Sequence, residues 1–225
     1  MSSTRAKVQS FLRLYSRRLG KVQRVEFMPP PASADPEAAL QVATKNSEIV
    51  AGAVLGLHGP PLEGYDAARK LMNFYVDWNE VRVADAEVAG RLLGRDHRAV
   101  ARIQLLQRFL EVFFLRQRNM NLDYLANLKP NDRKQFLSNL EVFDREELAA
   151  LLLTGFGYLS FPAADAIHEV ALEHGLVKKK TTVLQMAREL QKGLDAETMY
   201  ELYSHLYTLA RYPDKSARPR KKVKA

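Results

Sequence analysis

Residues 140–175 carry the pattern of two helices joined by a short connection that contains two glycines. An acidic start at 144–147 leads into the apolar run 148–153, after which a Phe-Pro pair predicts a turn. A second amphipathic helix is expected from Asp165. We expect Asp165 to cap that helix or to stabilise its positive N-terminal end.

Apolar residues recur at helical spacing along most of the remaining chain, and alternating apolar and polar runs are scarce. The strongest run, 98–117, places Ile103, Leu106 and Leu110 on one helical face. Asn131 is a suitable N-cap for a helix that ends at 139. The other predicted helices are 37–57, 64–76, 84–94, 121–128, 181–192 and 195–211. The predicted fold class is therefore all-α.

The net charge of +8 is concentrated at the two ends of the chain. Residues 1–27 contain seven Lys or Arg and one acidic residue, and residues 211–225 contain the same numbers. The part between them holds 20 basic and 24 acidic residues, a net charge of −4. Basic ends on an acidic body predict binding of a polyanion, because each phosphate contact releases counterions. The alternative for the tail is that it only aids solubility.

Four segments are predicted from these patterns: a basic amphipathic helix at 1–27, a proline-rich linker at 28–36, a helical domain at 37–212 and a basic, disordered tail at 213–225. The basic face of the first helix has three alternative contacts: nucleic acid, a membrane surface, or the body of the protein. Packing is the favoured use of its apolar face. The residues predicted to bind nucleic acid are Arg13, Arg17, Arg18, Lys21, Arg24, Arg218, Arg220, Lys221, Lys222 and Lys224.

The chain has no cysteine, which excludes disulfides, cysteine-ligated zinc and a cysteine-ligated iron–sulfur cluster. Its five histidines show no metal-ligand spacing. No cofactor is therefore expected. Residues 1–27 lack the apolar run of a secretory signal, and the longest uncharged stretch is too short to span a membrane. These features predict a soluble, cytoplasmic protein with no membrane contact.

The central stretch resembles, without a gap, the helix-hairpin-helix core of the endonuclease III family of DNA glycosylases. The family pattern reads Leu-Pro-Gly-Val-Gly-Arg-Lys-Thr-Ala, a helix, Phe-Gly, a short loop, and Val-Asp-Thr-His. The corresponding residues here are Leu140–Leu148, Phe156-Gly157 and Ala163–Ala166. The similarity continues in the family's order and spacing over about residues 66–212. It implies an all-α fold in two lobes, DNA binding and a relation to base-excision repair.

The same resemblance places Glu146 where the family carries its nucleophilic lysine, and Ala164 where it carries its catalytic aspartate. A carboxylate cannot form a Schiff base with a sugar, so the lyase route is closed at position 146. Asp165, one residue along, is a weak candidate for the missing carboxylate. Lys134 echoes the nucleophile but is interpreted as a surface lysine. Whether the chain is an enzyme stays open at this point.

The predicted hairpin is acidic and bulky where the family's glycines approach a DNA phosphate. Val142 and Phe143 add bulk, and like charge repels phosphate at short range. Only Arg145 opposes the negative charge in the sequence. We expect the hairpin not to anchor DNA, and its acidic face is a candidate contact for a basic protein partner. The acids are Glu141, Asp144, Glu146 and Glu147.

Three functions follow from these observations. The first is a DNA-associated relative of the glycosylases that is catalytically inactive, a pseudoenzyme, and holds DNA through its basic termini. The second is a helical scaffold or protein-interaction module. The third is residual glycosylase or abasic-site lyase activity.

Overall fold

The computed structural model describes residues 4–19, 36–59, 61–94 and 98–211. In these residues it contains twelve helices and no strand, which confirms the all-α prediction. The helices are α1 (Thr4–Leu19), α2 (Pro36–Leu55), α3 (Pro61–Met72), α4 (Trp78–Val83), α5 (Ala86–Leu93), α6 (Ala99–Gln117), α7 (Tyr124–Asn127), α8 (Pro130–Asn139), α9 (Arg145–Phe156), α10 (Asp165–Glu173), α11 (Val183–Gly193) and α12 (Ala196–Arg211).

One predicted helix start is wrong, and one short helix was not predicted. Asn131 is not the N-cap of α8: Lys129 occupies the cap and Pro130 the first helical position. Proline is favoured there because it has no N–H to leave unpaired and its φ already suits a helix. Helix α4 was not distinguished from its neighbours, although Asp77 caps it by accepting a hydrogen bond from the Glu80 N–H at 2.8 Å.

The chain divides into two compact units. The terminal unit contains α1 and α10 to α12, and the central unit contains α2 to α9. Helix α1 is thus part of the same unit as the last three helices, and Val8 and Tyr15 on its apolar face are buried. The boundaries of the predicted linker and tail fall outside the described residues, apart from Pro36, which begins α2.

Close packing of α2 against α3 organises the central unit. A Cβ placed on Gly64 would meet the Gly52 carbonyl oxygen at 2.1 Å and the Gly56 nitrogen at 2.6 Å. Only glycine permits such an approach of two backbones. The hydroxyl of Tyr65 then donates to the Thr154 carbonyl at 2.8 Å, which connects α3 to α9.

In the terminal unit, α1 contacts α11 and α12. The Ser16 hydroxyl donates to the Glu201 carboxylate at 2.8 Å, and the His205 ring lies 3.7 Å from the same oxygen. Burial lowers the pKa of His205, although Glu201 opposes this effect. Leu202, Leu206 and Leu209 are buried, so α12 is held by packing of its apolar face.

Among the described residues, no helix combines the length and the apolar character needed to cross a bilayer.

Candidate nucleic-acid interface

Helix α9 begins with a closed capping box. The Asp144 side chain accepts from the Glu147 N–H at 2.8 Å, and the Glu147 carboxylate accepts from the Asp144 N–H at 2.9 Å. The N-terminal amides of a helix are a natural anion site. Here two of the amides that would face an anion are occupied by the chain's own carboxylates. The signal for this, Asp followed three residues later by Glu before an apolar run, was present in the sequence and was missed.

A histidine from a turn that is distant in sequence also contacts the capping box. The His58 Nε2 lies 3.0 Å from Glu147 Oε1, so one carboxylate bonds to both the hairpin amide and the imidazole. Arg98 donates to the His58 carbonyl oxygen at 3.3 Å. No sequence signal connected His58 to the hairpin, because the contact depends on the packing of α2 and α9.

The bulky side chains of the hairpin point into the protein. The sequence interpretation had placed their bulk where a phosphate would approach. Val142 is buried, and the half-buried Phe143 ring lies 5.6 Å from the Phe109 ring. Glu141 adopts a left-handed conformation with φ of 54°. The turn is therefore anchored by apolar side chains in the central unit, and carboxylates, not bulk, remain at its surface.

Arginines from α6 also face the hairpin, so the prediction that only Arg145 opposes its acids is wrong. Arg116 donates to the Asn139 carbonyl oxygen at 2.7 Å, and Arg108 lies 3.5 Å from the Glu141 carbonyl oxygen. Both side chains are exposed. They bond to the backbone of the turn and leave the carboxylates of the capping box in place.

The positions matched to the family's catalytic residues lie at two helix starts. Glu146 is exposed in the first turn of α9. Ala164 is the N-cap of α10, with no side-chain cap bond, and Asp165 is the exposed first residue of that helix. Asp165 therefore does not cap α10, but its charge lies in the first turn, which is the second of the two roles predicted for it. Lys134 is exposed on α8.

Three of the predicted nucleic-acid contacts lie on α1. Arg13 and Arg17 are exposed, and Arg18 is half-buried with its guanidinium 5.7 Å from the centre of the Tyr15 ring. The remaining predicted contacts lie outside the described residues: Lys21, Arg24, Arg218, Arg220, Lys221, Lys222 and Lys224.

The resemblance implies an iron–sulfur cluster, and the residues present do not fit one. The thiolates that hold such a cluster are absent because the chain has no cysteine. The described residues also contain no group of three or more histidines and carboxylates placed to bind a metal ion.

The helices of the described residues define an all-α protein with an endonuclease III-like fold. A solved structure of an endonuclease III–DNA covalent intermediate, trapped as an estranged-adenine complex, superposes on this chain with a TM-score of 0.54. The two sequences are 13% identical, and the match covers 98% of this chain and 92% of that one. No family model matches the sequence, and no match is found among curated proteins.

Proposed function

We propose that the protein is a DNA-associated relative of the base-excision-repair glycosylases that lacks their lysine-based lyase chemistry and holds DNA through basic side chains of its termini. Two features support a DNA partner: the fold shared with an endonuclease III seen in complex with DNA, and the basic charge at both ends of the chain.

The observation that supports this proposal is the opposite charge of two surfaces, the start of α9 and the exposed face of α1. At the start of α9, two backbone amides are bonded to Asp144 and Glu147. A phosphate approaching there would meet two carboxylates and would have to displace them. On α1, Arg13 and Arg17 are exposed, and guanidinium groups bind phosphate oxygens well. DNA is therefore expected at Arg13 and Arg17 of α1, and not at the capped start of α9.

The side chain at 146 limits the chemistry that can follow binding. Schiff-base formation needs an amine that attacks the sugar carbon, and Glu146 supplies a carboxylate. Arginine cannot replace the amine, because its guanidinium stays protonated in proteins. Binding without covalent trapping is the expected behaviour.

A helical interaction module is the second candidate, and exposed apolar side chains favour it. Phe74, Val76 and Val83 are 61%, 86% and 66% exposed. Phe74 and Val76 precede α4, and Val83 is its last residue. Large exposed apolar side chains that cluster often mark protein contacts. Under this alternative the acidic hairpin binds a basic protein partner.

The test is a salt titration of duplex binding by the full-length chain and two variants. One variant carries Arg13→Gln and Arg17→Gln. The other carries glutamine at Arg218, Arg220, Lys221, Lys222 and Lys224. Substitution is preferable to deletion, because removal of α1 would expose the apolar surface that Val8 and Tyr15 cover.

Each phosphate contact that is lost should make the log–log salt slope about 0.9 less steep. We expect both variants to bind more weakly and with a smaller slope. Wild-type affinity in both variants, with an unchanged slope, would contradict the role of the termini. An unmodified protein that binds no duplex at low salt would leave the interaction module as the function.

A further inference from the structure

A basic groove lies in the terminal unit, between the loop after α10 and the surface of α11. It has a volume of about 310 Å³. Four basic side chains line it, Lys178, Lys180, Arg188 and Lys192, with Glu189 as the one acid among its lining residues. All four basic residues are exposed. For this segment the sequence predicted only the helix 181–192.

Hydrogen bonds hold the loop that carries the lysines. The Thr181 N–H donates to the Lys178 carbonyl at 2.9 Å, which forms a turn. The His168 Nε2 lies 2.7 Å from the Thr181 carbonyl oxygen. Because a carbonyl only accepts, Nε2 carries the proton and donates. The loop is thereby tied to α10, and its lysines are presented from a fixed backbone.

Two backbone amides beside the groove are already bonded within the protein. The Thr182 hydroxyl accepts from the Gln185 N–H at 3.2 Å, and the Gln185 side chain accepts from the Thr182 N–H at 2.9 Å. This capping box occupies amides at the start of α11. An anion in the groove would therefore bind to the lysine and arginine side chains.

These cations are available to a ligand. Within the described part of the chain, none of the four basic residues that line the groove forms an ion pair with a carboxylate. Arg188 and Lys192 lie one turn apart on α11. Along the helix axis these two cations are roughly 6 Å apart, about two nucleotide steps of one DNA strand. Lys178 and Lys180 line the same groove. Several cations along one groove match a series of phosphates better than they match a single one.

We propose that this groove binds the phosphate backbone of a nucleic acid, as a contact on the folded body that acts together with the basic termini. The inference rests on the proposed DNA association and names where on the body the strand lies. Lysines that contact phosphates as point charges do not read base edges, so this contact is expected to be independent of sequence.

The experiment compares two full-length variants with the same change in charge. The groove variant carries Lys178→Gln, Lys180→Gln and Lys192→Gln. The control carries Lys70→Gln, Lys129→Gln and Lys134→Gln, three exposed lysines of the central unit. Binding of a short labelled DNA duplex is measured by fluorescence anisotropy over a range of chloride concentrations. Thermal unfolding of each variant verifies that both fold, as expected for exposed side chains.

The groove variant should lose up to about 2.7 from the salt slope, from three contacts at about 0.9 each, and at least tenfold in affinity at low salt. The control should keep the wild-type slope. Equal losses in both variants, or a loss in the control alone, would overturn the groove assignment.

Two further outcomes separate this proposal from the function on which it rests. If the wild-type protein binds duplex and only the α1 and tail variants lose affinity, the groove assignment fails while DNA association stands. If the wild-type protein binds no duplex, both fail. Inorganic phosphate should compete with duplex no better than chloride at equal ionic strength. Much stronger competition would assign the groove to a small phosphate compound and overturn the nucleic-acid proposal.

Discussion

Replacement of Gly64 by alanine should destabilise the protein more than any exposed substitution. The new Cβ would lie 2.1 Å from the Gly52 carbonyl oxygen and 2.6 Å from the Gly56 nitrogen. Non-bonded heavy atoms prefer separations of about 3.5 Å or more, so α2 and α3 would have to move apart by more than about 1 Å. The obstructing atoms are backbone and cannot rotate away. The movement would also strain the 2.8 Å hydrogen bond from Tyr65 to Thr154.

The expected loss in the free energy of unfolding is the difference between two opposing effects. Overpacking of this kind costs about 1–3 kcal/mol, and rigid backbone contacts belong at the upper end. Alanine's better helix propensity returns up to about 1 kcal/mol. A net loss of about 2 kcal/mol or more corresponds to a fall in Tm of roughly 4–8 °C for a chain of this length.

Far-UV circular dichroism during heating measures this effect, and Gly193→Ala is the matched control. Gly193 is the last residue of α11, and nothing lies within 4 Å of an added Cβ. Its substitution should leave Tm unchanged or raise it slightly, since alanine restricts the unfolded chain. A Gly64→Ala protein that melts within about 1 °C of the wild type, which corresponds to less than about 0.5 kcal/mol, would refute the tight α2–α3 packing.

Three other predictions concern chemistry and pH. Borohydride should fail to trap the protein on DNA that contains an abasic site, because Glu146 offers no amine; an adduct abolished by Lys134→Ala would place the nucleophile at Lys134 instead. The purified protein should show no visible absorption band of an iron–sulfur cluster, and a band that persists after gel filtration would contradict the expected absence of a cofactor. The pKa of buried His205 is lowered in the folded state. As pH drops below about 6.5, the unfolded chain therefore takes up the proton before the folded protein does. The free energy of unfolding should fall in this range. Urea titrations at several pH values measure this, and an equal pH dependence in His205→Gln would assign the effect to another group.

The helices could be predicted because their signals are local. Apolar spacing predicted the run 98–117, and α6 extends from Ala99 to Gln117. The start of α10 at Asp165 was also predicted, whereas Pro130 places the start of α8 one residue ahead of Asn131. A one-residue difference changes which side chain can cap, and spacing alone does not resolve it.

The surroundings of the hairpin could not be predicted, because they come from distant parts of the chain. His58 reaches Glu147 only after α2 packs on α9, and Arg108 and Arg116 reach the turn from α6. The sequence showed that the hairpin is acidic, but two of its acids were not recognised as a helix cap. Asp144 and Glu147 are cap residues that stabilise the start of α9, in addition to being charges that repel phosphate.

Amide hydrogen exchange of the full-length protein, with and without duplex DNA, locates the bound strand on the chain. We predict added protection in α1 and in residues 176–193 when DNA is present. We predict no change at 140–147, where the Asp144 and Glu147 amides are already bonded to carboxylates. Strong DNA-dependent protection at 140–147, with none in α1 or the groove, would contradict DNA binding through α1 and the groove.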